Sequence, residues 1–414
     1  MKGILVILDG MGDLPNRLLR DKTPLEAAET PNMDFLATRG ELGIMDTVKS
    51  GFIPGSDEAI ISLFGNGLLQ NIRGPLEALG SGLEIKRGDL AFRANFATID
   101  NLSDRNVIDR RCGRTLTTEE AVSLAKALSK INLPCKFDFV SSVQHRAVLV
   151  LRGGFSDNIS RNDISYYSQG KIQEQNKATL IRSLDDEENS QYTANIVNEF
   201  LSQVFEILDK HPINEHRRKK GLMPANFLLL RAPGIQVPKL KLYKRWMAVT
   251  YMPLEIGIAR ASGMTPATFT YPPMEDFDVY DNLYEGLVKA CKFSIKMIKQ
   301  NYKNFDYAWI HIKEPDIPGH DNKPLEKKMM LEYIDKNLFS FLRKFVTKNK
   351  ILLAVTADHS TPCIQKAHSA DPVPVLLYND SIPREKHFNE KEAKNGNLGR
   401  IEGNKFLEKI EFLG

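Results

Sequence analysis

Three short apolar runs, each delivering ionisable side chains at its end, constrain the fold more tightly than any other feature of the chain. "GILVILDG" (3–10) reaches Asp9, "FDYAWIHIK" (305–313) leads into Asp316 and His320, and "ILLAVTADH" (351–359) closes on Asp358 and His359. Runs this short and this apolar read as strands buried on both faces, the pattern of a parallel sheet covered by helices. The intervening segments carry the helical period that such a sheet needs. "TPLEAAETPNMDFLATRG" is a proline-broken helical pattern ending at Gly40, and "GSDEAIISLFG" predicts a helix closed by Gly65. "KPLEKKMMLEYIDKNLFSFLRKFVTKNK" predicts one long helix, and "PVPVLLY" (372–378) a further strand. The expected class is α/β, a mostly parallel sheet flanked by helices.

At 414 residues the chain is about right for two domains. Its middle departs from the α/β rhythm. "AFRANFATID" and "RNVIDRR" read as a hairpin-like pair, "TTEEAVSLAKAL" as a helix capped by Thr117 or Thr118, and "KFDFVSSV" and "HRAVLVLRG" as alternating strands. The expectation is an inserted, smaller α+β domain over 88–239 within a discontinuous domain of 1–87 and 240–414. "RGPLEALGSGLEIKRG" on entry and "RAPGIQVPKLKLYK" on exit hold the Gly and Pro expected of linkers.

Composition excludes several classes. Hydrophobic residues at 42% and charged residues at 26% are those of a globular protein, and no apolar run nears the roughly 18 residues of a membrane helix. The N-terminal apolar run is short, lacks a small-residue cleavage site and ends on an aspartate, so it reads as a buried strand rather than a signal peptide. Cys112, Cys135, Cys291 and Cys363 lie far apart with no CxxC, which argues against a disulfide framework or zinc ribbon and suits buried thiols in a cytoplasmic protein. A net charge of +4 is too weak to imply nucleic acid, and the basic run "HRRKKG" (216–221) is expected to be a solvated surface.

The ionisable residues at the strand ends are the chemistry. Ligands of open α/β sheets bind in the crevice beyond the strands' C-terminal ends, where Asp9, Asp316, His320, Asp358 and His359 fall, with His368 nine residues beyond His359. Mixed carboxylate and imidazole donors suit Mn²⁺ or Zn²⁺, and six such ligands plus a serine oxygen are too many for one catalytic ion with an open position, so two ions are expected. Asp9 taken alone also reads as a turn residue, and the isolated DxxxH of "DIPGH" is weak. "TADHS" after an apolar strand is stronger, because such a strand seldom delivers adjacent ionisable groups without a site to receive them. His145, His211, His216, His311 and His387 read as ordinary histidines. Ser56, between a Pro-Gly turn and a predicted helix, reads either as a simple N-cap or as a nucleophile at a helix N-terminus that attracts anions.

Taken together, "ILDGMGD", "GSDEA", "RGPLEALGSGL", "GDLAFRANFATID", "DRRCGR", "HRAVLVLRGG", "PANFLLLRAPG", "HIKEPDIPGHDNKP" and "TADHSTPC…AHSADPVP" resemble the archaeal-type cofactor-independent phosphoglycerate mutases of the alkaline phosphatase superfamily. The likeness runs in order along nearly the whole chain. "TADHS" is shared across the superfamily, whereas "GDLAFRANFAT" with "DRRCGR" belongs to this branch. The resemblance implies an alkaline-phosphatase-like core and interconversion of 3-phosphoglycerate and 2-phosphoglycerate without 2,3-bisphosphoglycerate. It divides the ligands into Asp9, Ser56, Asp358 and His359 for one ion and Asp316, His320 and His368 for the other, with Ser56 accepting the phosphoryl group. Mn²⁺ is the expected metal, with Co²⁺, Zn²⁺ and Mg²⁺ compatible.

The insertion is then expected to grip the glycerate through Arg93, Asn95, Arg110, Arg111 and Arg114, whose guanidinium forks suit carboxylate and phosphate. Asp104, Asp109 or Asp89 are the alternative ion-pair partners of these arginines. Asp109 is also an acid/base candidate, and Lys313 a phosphate contact. The alternatives are another enzyme of the superfamily, such as a metal-dependent phosphatase or phosphopentomutase, and a non-catalytic binding protein that kept the fold. A small-molecule substrate, no nucleic acid, no membrane and either a monomer or a homo-oligomer complete the expectation.

Overall fold

The computed structural model describes residues 1–163, 176–274 and 278–412. Its strands in chain order are β1 (Gly3–Leu8), β2 (Gly40–Asp46), β3 (Leu90–Ile99), β4 (Val107–Asp109), β5 (Lys136–Ser141), β6 (Arg146–Arg152), β7 (Phe227–Gly234), β8 (Trp246–Val249), β9 (Thr265–Ala267), β10 (Tyr307–Ile312), β11 (Leu352–Thr356), β12 (Val373–Tyr378) and β13 (Gly399–Glu402). Among the described residues they form an eight-stranded sheet in the order β13-β2-β12-β11-β1-β10-β8-β9, and a five-stranded sheet in the order β4-β3-β6-β5 with β7 also on β3. The larger sheet is mostly parallel, as expected, with β12 antiparallel to both its neighbours.

The register of the central strands positions the site. β1 lies parallel to β10 and to β11, with Leu8 opposite Ile312 and Ile7 opposite Thr356. The three strands therefore end side by side, roughly 4.8 Å apart. All six residues of β1 and of β10 are buried, which is why these runs are continuous in apolar character rather than alternating.

Each sheet has its own apolar core. Leu5, Trp309, Leu353 and Leu376 belong to that of the larger sheet; Phe92, Leu149, Phe200 and Leu230 belong to that of the smaller. Thr117 is the N-cap of the Thr118–Ala127 helix, exchanging hydrogen bonds with Glu120 in a capping box. The predicted long helix is interrupted by a π turn at Asp335–Phe339, where the buried Asp335 carboxylate accepts the N–H groups of Asn32 and Met33.

Two expectations are corrected. The first half of the entry stretch is not an open linker: Arg73–Gly80 is a helix lying between the Pro253–Ala261 helix and strands β3, β6 and β7, and only residues 81–88 lie outside regular structure. Nor is the basic run wholly solvated. Its first four residues fall in the Pro212–Lys219 helix, where fully buried Arg217 donates to Glu120 (2.7 Å), the Thr115 carbonyl (3.0 Å) and the Thr115 hydroxyl (2.8 Å). A guanidinium with this many acceptors is satisfied without water. Cys112, Cys291 and Cys363 are buried as expected, and Cys135 is half-buried.

The crossing of the Arg73–Gly80 and Pro253–Ala261 helices depends on small residues. Gly80 packs on the Pro253 carbonyl and Gly257 on the Leu76 carbonyl, so a Cβ at either would overlap backbone. Backbone cannot swing aside as a side chain can, so Gly257→Ala is expected to cost about 3 kcal/mol, the upper part of the overpacking range. Urea unfolding checks this, and a loss below about 0.5 kcal/mol would refute the close crossing.

Candidate active site

Asp9, Asp316, His320, Asp358, His359 and His368 converge at the C-terminal ends of β1, β10 and β11. The turn after β1 carries Gly10 at φ +60°, where a Cβ would lie 2.6 Å from Asp316 Oδ1, so only glycine lets the two strand ends close on each other. His368 returns to the site because the Ser369 N–H bonds the Ser360 carbonyl at 3.0 Å.

The ligand atoms fall into two abutting groups. Asp9, Asp358 and His359 form one, with His359 Nε2 at 3.4 Å from Asp9 Oδ1 and 3.3 Å from Asp358 Oδ2. Asp316, His320 and His368 form the other, with His320 Nε2 at 3.3 Å from Asp316 Oδ2. The rings of His359 and His368 stack at 3.6 Å between centroids, joining the groups. Ser56 stands beside the first group, its Oγ 3.2 Å from His359 Nε2. It is the first residue of the Ser56–Leu63 helix and Gly55 is the N-cap, so the N-cap reading of Ser56 does not hold.

These donors fit divalent cations on two observations. Asp9 Oδ1 and Asp358 Oδ2 are buried with no hydrogen-bond partner, an arrangement that is costly unless a cation faces them. Moreover, each of the three rings has Nδ1 beside an oxygen: Lys366 O for His320 (3.1 Å), Thr361 Oγ1 for His359 (3.0 Å) and Pro54 O for His368 (2.8 Å). An Nδ1–H committed to these acceptors leaves every Nε2 lone pair facing the carboxylates, the usual support of a metal-bound histidine.

The charges follow from burial and neighbours. Burial, with His368 adjacent, holds the His359 ring well below its ordinary pKa, and burial also lowers His368. For Asp316, burial alone would raise the carboxyl, but the His320, His368 and His359 rings hold it well below the usual range. Burial pushes Glu314 up to about 6; its carboxylate accepts the Tyr251 and Tyr271 hydroxyls at 2.6 and 3.2 Å, fixing the exit from β10.

A cavity of about 190 Å³ opens over Ser56 and is lined from both sheets. Arg93 and Asn95 alternate on β3 and so project from one face, and the antiparallel register sets Arg231 opposite Arg93 and Arg146 opposite Asn95. Arg73, Arg110, Arg111, Arg114 and His145 extend this basic wall, and Glu77 and Asp163 are among the acidic residues of the lining.

The sequence of the chain matches the family model for 2,3-bisphosphoglycerate-independent phosphoglycerate mutase over residues 37–214 and that of the Metalloenzyme superfamily over 281–411. It is 41% identical to the 2,3-bisphosphoglycerate-independent phosphoglycerate mutase of Thermococcus kodakarensis, over 97% of this chain and 94% of that relative. The chain belongs to this mutase family. The corresponding mutase 1 of Archaeoglobus fulgidus is 38% identical over 97% of the chain and 95% of its own length. Among solved structures, a Pyrococcus horikoshii protein superposes with TM-score 0.75 at 32% identity, covering 100% of this chain and 98% of that one. The cofactor-independent phosphoglycerate mutase of Thermoplasma acidophilum does so with TM-score 0.59 at 30% identity, covering 100% and 99%.

Within this mutase framework the remaining predicted residues divide. Arg93, Asn95, Arg110, Arg111, Arg114 and Lys313 all line the cavity; Asp109 does not. Asp109 Oδ1 instead accepts the N–H groups of Arg111 (2.7 Å) and Gly113 (2.8 Å), shaping the turn that presents the arginines. Arg110 pairs with Asp163, Arg114 with Asp321 (2.7 Å) and Arg93 with Glu77 (3.5 Å), rather than with Asp89, Asp104 or Asp109. Lys313 Nζ contacts Asp9 and, at 3.1 Å, Glu255, so its charge is already applied to a site carboxylate. Two histidines read as ordinary lie beside these groups: His311 Nε2 is 3.1 Å from Asp9 Oδ2, and His145 lines the cavity, buried against the arginines. For His311 the signal was its place two residues before Lys313, within a strand of otherwise apolar residues. Arg73, Glu77, Arg231 and Glu255 left no local signal, because they meet the cavity only through pairing of distant segments.

Proposed function

We propose that this chain interconverts 3-phosphoglycerate and 2-phosphoglycerate through a phosphoserine at Ser56, with no 2,3-bisphosphoglycerate. The observation that carries the reading is the cavity itself: a serine hydroxyl against carboxylate–imidazole clusters on one wall, and arginines of a second sheet on the other. Asp9, Ser56, Asp358 and His359 would hold one divalent ion and Asp316, His320 and His368 a second, with Mn²⁺ the favoured metal. Bound there, such ions supply Lewis-acid charge to phosphoryl oxygens and lower the pKa of a neighbouring hydroxyl.

The chain's own residues do the rest. The Ser56 helix start offers unpaired N–H groups to the phosphate, and Lys313 adds positive charge at that end. Ser56 Oγ forms its bond to phosphorus as the bond to the C3 oxygen breaks, and the proton of Ser56 ends on that oxygen. The freed glycerate is retained by Arg93, Asn95, Arg110, Arg111 and Arg114 while it turns. Its C2 hydroxyl then takes the phosphoryl group and Ser56 recovers a proton. Water reaching the phosphoserine during the turn would release inorganic phosphate, so enclosure between the two sheets separates a mutase from a phosphatase. The separate apolar cores support the division into a catalytic part, 1–87 with 240–414, and an inserted substrate-gripping part, 88–239. The reaction serves glycolysis and gluconeogenesis alike, in the cytoplasm.

The test is ³¹P NMR of 3-phosphoglycerate with metal-stripped protein, with and without Mn²⁺. The expected result is a 2-phosphoglycerate resonance only with metal. Free phosphate in its place would make the enzyme a phosphatase, and an unchanged spectrum would overturn the reading.

A further inference from the structure

We propose that Thr361 is a positioning residue that ties the two donor clusters together, its hydroxyl donating to Asp316 Oδ1 and accepting the Nδ1 proton of His359. The inference rests on the reading of those clusters as metal-binding, and goes beyond it by assigning how one cluster senses the other.

The hydrogen-bond directions follow from the groups involved. Thr361 Oγ1 lies 2.8 Å from Asp316 Oδ1 and 3.0 Å from His359 Nδ1. An ionised carboxylate only accepts, so the single hydroxyl proton goes to Asp316. The hydroxyl oxygen then has only lone pairs for the imidazole, which must bring its proton on Nδ1. The neutral ring is left with a bare Nε2, the atom that faces Ser56, Asp9 and Asp358.

The hydroxyl has little freedom to leave this arrangement. Thr361 is fully buried; its N–H donates to Gly12 O at 2.9 Å and its carbonyl accepts from Lys327 Nζ at 3.0 Å. Backbone closes on it from both sides, at two glycines. A Cβ on Gly10 would stand 2.7 Å from Thr361 Oγ1, and one on Gly319 would stand 2.8 Å from the Thr361 methyl carbon. A Cβ on Gly10 would also stand 2.6 Å from Asp316 Oδ1, and the Gly10 N–H donates to Asp358 Oδ1 at 3.2 Å, so the threonine is packed together with ligands of both clusters. The other two site histidines bond backbone carbonyls through Nδ1. His359 alone among the three uses a side chain that is itself bonded to a ligand of the opposite cluster. Loss of this one hydroxyl therefore disturbs both clusters, although it belongs to neither.

Thr361→Val keeps the shape and removes the hydroxyl; Thr361→Ser keeps the hydroxyl and removes a methyl. Calorimetric titration of the metal-stripped full chain with Mn²⁺ is expected to give two binding events in the wild type. Both should weaken by about 10-fold or more in the valine variant, the usual effect of losing a group that orients a metal ligand, and should recover with serine. Imidazole ¹⁵N spectra of the metal-free protein are expected to report His359 as the Nδ1–H tautomer in the wild type and the serine variant, and as a mixture with valine. Weakening confined to one ion, or unchanged affinity, would overturn the coupling. A wild-type His359 protonated on Nε2 would overturn it independently, and that spectrum decides the matter if the valine variant does not fold. A wild type that binds no Mn²⁺ would instead remove the metal reading beneath it, with the tautomer still testing the hydrogen bond.

Discussion

Ser56→Ala is expected to lower mutase turnover by at least about four orders of magnitude, the scale on which removal of an enzymatic nucleophile acts. Among the described residues lining the cavity Ser56 is the only serine or threonine, and its Oγ stands at a helix start, 3.2 Å from His359 Nε2. The substitution removes one oxygen from the edge of the cavity and leaves the helix its Gly55 N-cap, whose N–H bonds Glu58 at 2.8 Å. Stability should therefore change by no more than about 0.5 kcal/mol. The pairing of a large kinetic loss with an intact thermal transition is what distinguishes a nucleophile from a structural serine. Steady-state turnover from 3-phosphoglycerate and a melting curve on the same sample check it. Residual activity above about one-hundredth of wild type would mean that the phosphoryl group is never carried on Ser56.

Complete chelation of metal is the second large effect, and it is expected in stability as well as activity. Asp9, Asp358 and His359 are almost wholly withdrawn from solvent, and the orphaned oxygens of the two carboxylates both lie beside His359 Nε2. Without cations that arrangement pays desolvation and like-charge repulsion, offset among the described residues by Lys313, the histidines and the Gly10 N–H. A ligand that binds only the folded state stabilises it by about 2.7 kcal/mol at a hundredfold excess over its Kd. Two ions thus contribute about 5 kcal/mol, which for a domain of this size raises Tm by on the order of 10 °C. Differential scanning calorimetry of stripped protein, before and after Mn²⁺, measures the shift. Superimposable transitions would mean that the clusters do not bind the ion.

What could be read from the sequence differs between the two halves of the site. Apart from His368, the metal-type donors were legible because each is local to a strand that announces itself: Asp9 follows an unbroken apolar run, and "TADHS" and "DIPGH" follow two more. Parallel pairing of such runs was the only economical outcome, and parallel pairing brings their ends together. Asp109 illustrates the limit. An aspartate beside three arginines in "DRRCGR" invites a catalytic or ion-pair reading, whereas its Oδ1 accepts two N–H groups of its own turn and it lies outside the cavity lining. The Arg73–Gly80 helix illustrates another, since "RGPLEALGSG" is rich in the residues of a linker and becomes a helix once glycines allow close crossing with a distant partner.

Sequence alone determined the α/β class, the helix that starts at Ser56 and the donor residues at three strand ends, because apolar period and chain adjacency act over a few residues. Only the tertiary structure decided that Arg231 faces Arg93, that Arg146 faces Asn95, that Lys313 reaches Glu255, and that Thr361 stands between His359 and Asp316. These pairs join segments tens to more than a hundred residues apart in most cases, and a one-residue slip in strand register would turn each arginine to the opposite face of its sheet. Local propensity carries no information about that register; it is set by the packing of whole sheets.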